Sequence, residues 1–91
     1  MQQGIEIRVY GRVQGVWFRG STQLQAQALQ VTGWVCNEPD GSVLIQAFGT
    51  RDQLEELKSW CHQGPQHARV DHLDIREIPF ENHPEFIVRR R

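Results

Sequence analysis

The sequence predicts an α+β fold in which two helices pack on one face of an antiparallel sheet. Short segments that are apolar at every second position, or apolar throughout, are typical of strands, and two longer segments with apolar residues every three or four positions are typical of amphipathic helices. These segments follow one another in the order β-α-β-β-α-β, with a short extra strand near the C-terminal end. This order places both helices on the same side of the sheet.

The first strand is predicted in GIEIRVYG, residues 4–11, where apolar and polar residues alternate. An alternation of period two places one set of side chains on the buried face and the other set on the exposed face. The residues expected to face the core are Ile5, Ile7 and Val9.

The first helix is predicted in STQLQAQALQV, residues 21–31. Its apolar residues recur at helical spacing, so we expect Leu24, Ala28 and Val31 to face the core. Thr22 and Gln25 have the spacing of a capping box at the start of the helix, and we expect Gly33 at its C-terminal end.

A hairpin is predicted over residues 33–48. WVCN and SVLIQAF are its strands, and EPDG at 38–41 is the turn between them. Proline fixes one backbone angle of such a turn, and an Asp-Gly pair tolerates positive φ.

The second helix is predicted in TRDQLEELKSWC, residues 50–61. Thr50 and Gln53 form a second capping box, and the Gly-Pro pair at 64–65 ends the helix. Four of its residues share one apolar face: Leu54, Leu57, Trp60 and Cys61.

Two strands complete the chain: VDHLDIREI, residues 70–78, with Leu73 and Ile75 on one face, and EFIVRR, residues 85–90, with Phe86 and Val88 in phase. No linker, repeat or low-complexity segment interrupts residues 1–91, so we expect a single domain. The element order predicts a ferredoxin-like βαββαβ sandwich with an additional short C-terminal strand.

Composition excludes several classes of function. The net charge is −1, from 10 basic and 11 acidic residues, whereas proteins that bind nucleic acid usually carry a basic excess. The basic run RRR at 89–91 is interpreted as a solvated terminus. No apolar run is long enough to span a membrane and the first residues do not resemble a signal peptide, so we expect a cytoplasmic protein. A monomer is the default expectation, since no motif indicates an oligomer.

No metal or other cofactor is predicted. Cys36 and Cys61 are too few and too far apart for a zinc site. Both are expected to be buried as small apolar thiols; a disulfide between them is the less favoured alternative, which the sequence does not exclude. The four histidines have no ligand spacing, so we expect them on the surface: His62, His67, His72 and His83.

The segment GRVQGVWFRG, residues 11–20, joins the first strand to the first helix. A glycine there allows positive φ, and the amides of the loop and of the helix N-terminus then form a cradle for an anion. Arg19 adds a planar guanidinium that suits a phosphate or a carboxylate. The residues alone also fit an ordinary turn with an exposed arginine, and they favour that interpretation.

Three motifs, GRVQGVWFR, GWVCNEPDGSV and GPQHARV, resemble the acylphosphatase family, in the family's order and spacing. The resemblance covers nearly the whole chain and implies the ferredoxin-like fold. It also implies a metal-independent hydrolase that splits acyl phosphates into a carboxylate and inorganic phosphate.

The resemblance assigns roles to particular residues. It implies that Arg19 binds the phosphate, that Asn37 positions the attacking water, and that the loop amides surround the phosphate oxygens. The loop residues are Gln14, Gly15, Val16, Trp17, Phe18 and Arg19. Two residues depart from the family's usual pattern: Trp17 stands where a glycine or a smaller residue is common, and Gln30 replaces a glycine.

Three other functions share this element order. An RNA-recognition module would need stacking aromatic residues on the third strand, where only Phe48 is present. A non-catalytic anion-sensing or regulatory domain would keep the loop but would not need Asn37. The third alternative is the acylphosphatase-like module that forms the N-terminal part of larger carbamoyl-transferring enzymes. The sequence does not identify the acyl group of the substrate.

Overall fold

A computed structural model describes residues 1–90, and its elements follow the predicted order. Neither helix in this part of the chain has the length and apolar character required to cross a membrane. The elements are β1 (Gln2–Arg12), α1 (Phe18–Ala28), β2 (Thr32–Asn37), β3 (Val43–Thr50), α2 (Arg51–Gln63), β4 (Arg69–Ile78) and β5 (Phe86–Val88).

The five strands form one sheet in the order β4-β1-β3-β2-β5. Three of the strand pairs are antiparallel, as predicted, whereas β5 runs parallel to β2. The prediction of an antiparallel sheet is therefore wrong for this one pair. The physical reason is that β5 reaches β2 from the opposite edge of the sheet, so no hairpin turn imposes an antiparallel direction.

The main core lies between the sheet and the two helices. Ile5, Ile7 and Val9 point into it, as the alternation of β1 predicts. There they meet buried side chains from both helices and from β2, β3 and β5. The largest of these are Phe18, Ile45, Leu54, Leu57 and Phe86.

The other face of the sheet carries a smaller apolar cluster of Trp34, Cys36 and Leu44. The guanidinium carbon of Arg89 lies 4.5 Å from the centre of the Trp34 ring and covers part of this cluster. Both cysteines are buried, as expected, but Cys36 lies in this cluster whereas Cys61 lies in the main core.

Helix α1 begins earlier and faces differently than the sequence predicts. It starts at Phe18, and Thr22 lies buried inside it, with its hydroxyl donating a hydrogen bond to the Phe18 carbonyl at 2.8 Å instead of capping the helix. The buried residues are Phe18, Thr22 and Ala26, while Leu24 and Ala28 are exposed. The predicted helix has too few apolar residues to define its buried face, so the packing of Phe18 in the core determines which side of α1 is buried.

The C-terminal end of α1 also differs from the prediction. Gln30, with φ of 61°, adopts the left-handed conformation that follows the helix, and the amide of Val31 donates to the Ala26 carbonyl at 2.8 Å. Gly33 instead lies inside β2, where an added Cβ would overlap the Gln46 carbonyl.

Helix α2 agrees with the prediction. The Thr50 hydroxyl accepts a bond from the Gln53 amide, and the Gln53 side chain accepts one from the Thr50 amide at 2.8 Å. The helix ends at Gly64, with φ of 69°. Three of the four predicted core residues are buried and Trp60 is half-buried: Leu54, Leu57 and Cys61 are the buried ones.

Candidate active site

The segment between β1 and α1 is a tight loop over residues 13–17. Val13 is buried and anchors the start of the loop in the main core. Gly15 and Trp17 both have positive φ, of 76° and 64°. Left-handed residues in such a short segment turn neighbouring backbone amides toward the same side, and this arrangement forms anion-binding concavities in proteins.

The backbone amides of this loop are free to bind a ligand. Within residues 1–90, no carbonyl or side chain accepts a hydrogen bond from the amides of 14–19, and the first bond of the helix runs from the Ser21 amide to the Trp17 carbonyl at 3.1 Å. The unpaired amides at a helix N-terminus carry a partial positive charge. This end of α1 therefore suits an anion.

Arg19 lies in the first turn of α1 rather than in the loop, because the helix starts at Phe18. Its side chain is half-exposed, and it makes no ion pair or hydrogen bond with any of the described residues. No acidic residue lies in the same helical turn. The guanidinium is thus available for a ligand beside the loop amides.

Asn37 is the last residue of β2 and faces the same space. Its Oδ1 atom is buried and has no hydrogen-bond partner among residues 1–90. A buried acceptor without a donor costs about 1–3 kcal/mol, so such atoms usually serve a bound water or ligand. The amide side chain therefore has an acceptor ready for one of these.

The side chain of Gln14 links the loop to the turn that follows Asn37. Its Nε2 donates to the Glu38 and Ser42 carbonyls, both at 2.9 Å. Asp40 accepts bonds from the Ser42 amide and hydroxyl, which lowers the pKa of Asp40. Gln14 thus holds the turn with its side chain, which the sequence did not predict.

A cavity of about 410 Å³ opens between the loop, the start of α1 and the ends of β2 and β5. It brings together Arg19 and Asn37, which lie 18 positions apart in the sequence. Of the predicted loop residues, Gln14 and Val16 do not line it. The lining residues are Val13, Gly15, Trp17, Phe18, Arg19, Gly20, Gln23, Asn37, Val88 and Arg90.

Trp17 forms part of the cavity wall and is 67% exposed. Its indole packs over Gly20, where an added Cβ would overlap the ring. Glycine at position 20 is therefore what allows a tryptophan to occupy the left-handed position before the helix. The departure at Trp17 leaves the loop compatible with an anion site and adds an aromatic wall.

Five cavity residues were not predicted from the sequence: Val13, Gly20, Gln23, Val88 and Arg90. The tail was interpreted as a solvated terminus, but Arg89 stacks on Trp34 and Arg90 lines the cavity, while Arg91 lies outside the described residues. The alternation of side chains along the predicted strand 85–90 could have indicated the position of Arg90. It places Arg90 on the same side as Phe86 and Val88.

No group of three or more potential metal ligands occurs among residues 1–90. Three of the histidines are exposed, as predicted, whereas His83 is half-buried and stacks on Phe48, with ring centres 4.9 Å apart. Burial raises the pKa of Cys61 to about 12, so its thiol stays protonated in the folded protein.

Comparisons with known proteins indicate one family. The family model described as Acylphosphatase matches residues 5–88. A protein named Acylphosphatase from Rubrobacter xylanophilus is 49% identical over 80 residues, which cover 86% of this chain and 73% of the relative. Another, from Photorhabdus laumondii, is 46% identical over 90 residues and covers 98% of both chains.

The fold of a solved relative is nearly the same. The structure of an acylphosphatase from Coxiella burnetii matches with a TM-score of 0.94 and 41% identity, over 97% of this chain and 93% of that one. The predicted resemblance and the predicted ferredoxin-like fold are both confirmed. Because the family model matches residues 5–88, which are most of this chain, the chain belongs to the acylphosphatase family.

Proposed function

We propose that this protein is an acylphosphatase, which hydrolyses the carboxyl–phosphate bond of acyl phosphates to a carboxylate and inorganic phosphate without a metal. One observation carries the proposal. Arg19 and Asn37, whose Oδ1 has no partner among residues 1–90, line one cavity together with Gly15, Trp17 and Phe18, whose amides make no hydrogen bond with a described residue. An anion cradle next to an acceptor for water is what the hydrolysis of an anionic carboxylic–phosphoric anhydride requires.

The phosphoryl group binds where the loop amides and Arg19 meet. Phosphoryl transfer develops charge on the oxygens around phosphorus, so fixed donors at those oxygens stabilise the transition state. The amides are held by the backbone and need no rearrangement during the reaction. Arg19 adds a fork of two N–H groups that fits two phosphoryl oxygens.

The attacking water binds to Asn37. Its Oδ1 accepts a hydrogen bond from the water, which holds the water oxygen in position for in-line attack on phosphorus. Gln14 keeps this geometry, because it ties the turn after Asn37 to the phosphate loop. Asn37 is thus a positioning group for water and does not take a proton.

The chemistry requires no acid or base from the protein. The leaving group is a carboxylate whose conjugate acid has a pKa of about 4–5, so it departs at neutral pH without a proton. As the P–O bond to the carboxylate breaks and the water oxygen bonds to phosphorus, the proton of the water passes to a phosphoryl oxygen. Among residues 1–90, no Asp, Glu or His lines the cavity.

The test is hydrolysis of benzoyl phosphate by the purified chain, with and without EDTA. We expect turnover that EDTA does not change. We expect Arg19→Ala to lower kcat/KM by about 10³-fold or more and Asn37→Ala to lower it by about 10²- to 10³-fold. Arg19→Lys keeps the charge but loses the fork, so its activity should fall between those of wild type and Arg19→Ala.

Circular dichroism and urea unfolding verify that each variant is folded. A folded wild-type protein that binds phosphate but does not hydrolyse benzoyl phosphate would contradict the enzymatic proposal. It would favour the alternative of a non-catalytic anion-sensing domain. A pH–rate profile with an essential group of pKa near 6–7 on the free enzyme would contradict the absence of a general base.

We also propose that residues 1–91 act as a single-domain monomer in the cytoplasm, with a small-molecule substrate and no nucleic-acid partner. The net charge of −1 and the lack of a basic excess support the absence of a nucleic-acid partner. Light scattering coupled to gel filtration tests the oligomeric state, and the molar mass measured across the peak should be that of one chain, 10.6 kDa.

A further inference from the structure

We infer that Arg90 is a specificity-determining residue, which favours acyl phosphates whose acyl group carries a second negative charge such as a carboxylate. The inference rests on the proposed function and goes beyond it, because it selects a class of acyl group. It starts from a cavity that holds two arginines, Arg19 and Arg90, on different walls.

The pairing of β2 and β5 fixes the position of Arg90. Val35 lies opposite Val88 in this parallel pair, and the Arg89 amide donates to the Val35 carbonyl at 2.8 Å. Continued by two residues along each chain, the same register places Arg90 opposite Asn37. Adjacent strands are about 4.8 Å apart, and both residues line the cavity.

The pleat separates Arg90 from its neighbour. Phe86 is buried in the main core, and Val88 packs against that core from the same side, so Arg90 follows them toward the cavity. Arg89 points to the opposite face, where it stacks on Trp34. Arg90 also borders the hollow beside Trp34 that Arg89 lines, but only Arg90 lines the cavity, so Arg89 is a matched control.

The positive charge of the two arginines in the cavity is not balanced by an acidic residue among the described lining residues. Among residues 1–90, no acidic residue lines the cavity, and Arg90 makes no ion pair or hydrogen bond with a described residue. The phosphoryl group already has the loop amides and Arg19. A second guanidinium on the β5 wall therefore lies where the remainder of the substrate must extend.

The size of the cavity is consistent with an acyl group larger than acetyl. Its volume of 410 Å³ lies in the range of roughly 300–1,000 Å³ that small-molecule sites occupy. Trp17 supplies an apolar wall for the carbon skeleton of that group. Arg90, exposed at the rim, can bind a terminal carboxylate through two parallel N–H···O bonds.

The test compares benzoyl phosphate with 4-carboxybenzoyl phosphate, which differ only in a rigidly placed carboxylate. We expect wild type to prefer the carboxylated substrate. Arg90→Gln should lower kcat/KM for 4-carboxybenzoyl phosphate by about three- to tenfold, the effect of one partly exposed ion pair, and change benzoyl phosphate less than about twofold. Arg89→Gln should leave the preference intact, and added salt should reduce it.

Two results would overturn the inference. An equal loss on both substrates would show that Arg90 serves the phosphoryl group, and no change on either would show that it contacts neither part of the substrate. Failure of the proposed function is distinguishable, because wild type would then hydrolyse neither substrate. In that case calorimetry with 2-oxo-2-phenylethylphosphonate and its 4-carboxy derivative decides the role of Arg90, since only wild type and Arg89→Gln should prefer the carboxylated ligand.

Discussion

Among residues 1–90, two residues other than glycine adopt the left-handed conformation that glycine usually adopts. Trp17 precedes α1 and Gln30 follows it, with φ of 64° and 61°. At both positions the resemblance to the family implies a departure from its usual pattern. A side chain in this conformation costs about 1–2 kcal/mol. At position 17 the packing of the indole over Gly20 offsets part of that cost, whereas Gln30 is exposed.

We therefore predict that Gln30→Gly stabilises the protein. Glycine relieves the strain at the end of α1, although it also increases the entropy of the unfolded chain. The expected gain in the free energy of unfolding is about 0.5–1 kcal/mol. Urea denaturation measures it, with activity toward benzoyl phosphate unchanged.

Gln27→Gly is the matched control for this substitution. Gln27 is also exposed, but it lies inside α1, where glycine should lower the free energy of unfolding by about 1 kcal/mol. Destabilisation by both substitutions would mean that the left-handed conformation at position 30 carries no strain.

At the scale of elements, the site depends on how the loop after β1 meets the turn after β2. Gln14 makes the connection through its two bonds to the Glu38 and Ser42 carbonyls. Each of these carbonyls also accepts a backbone bond inside the turn, from Gly41 and Glu38 respectively. The connection therefore fixes the turn against the loop more than it satisfies buried groups.

We predict that Gln14→Met lowers kcat more than it raises KM. Methionine keeps the length of the side chain but cannot donate to the turn, so Asn37 should hold the water less accurately while the loop amides still bind phosphate. The free energy of unfolding should fall by about 1 kcal/mol. Steady-state kinetics and urea denaturation measure both effects. A loss of stability with kcat unchanged would make Gln14 a structural residue only.

At the scale of the whole molecule, the sheet face away from the helices is held by polar pairs across strands. Glu6 of β1 lies between Gln46 of β3 and Arg76 of β4. Its carboxylate accepts bonds from both side chains, at 2.9 and 2.8 Å. The bond from Arg76 lowers the pKa of Glu6, against the opposing effect of burial.

We predict that Glu6 contributes to stability at neutral pH and that this contribution is lost in acid. Because its pKa is lower in the folded than in the unfolded protein, the contribution is complete above the ordinary pKa of 4.5 and disappears as the pH falls through the folded value. Glu6→Gln should therefore destabilise the protein at pH 7 by up to about 1 kcal/mol, since Arg76 is largely exposed.

Urea unfolding between pH 2 and 7 measures this dependence. The difference between wild type and Glu6→Gln should shrink as the pH falls below about 4.5. Glu56→Gln removes an exposed carboxylate without an ion pair among the described residues, so it should leave the profile unchanged. A difference that stays constant with pH would contradict the role of the Glu6 charge.

The sequence by itself determined the order of the elements, the inward face of β1 and the capping box of α2. These features depend on local alternation, on helical spacing and on side chains that cap their own helix, so they need no knowledge of the distant chain. The motifs around Arg19 and Asn37 were also sufficient to indicate the family, which the matches confirm.

Only the tertiary structure decided the rest. The glutamine-rich α1 has too few apolar residues to define its buried face, so Phe18 and the sheet determine where it starts and which side faces inward. The parallel pairing of β5 follows from its approach across the sheet, and this pairing carries Arg90 to the side of Asn37. Positions set by contacts between distant segments do not appear in any local pattern of the sequence.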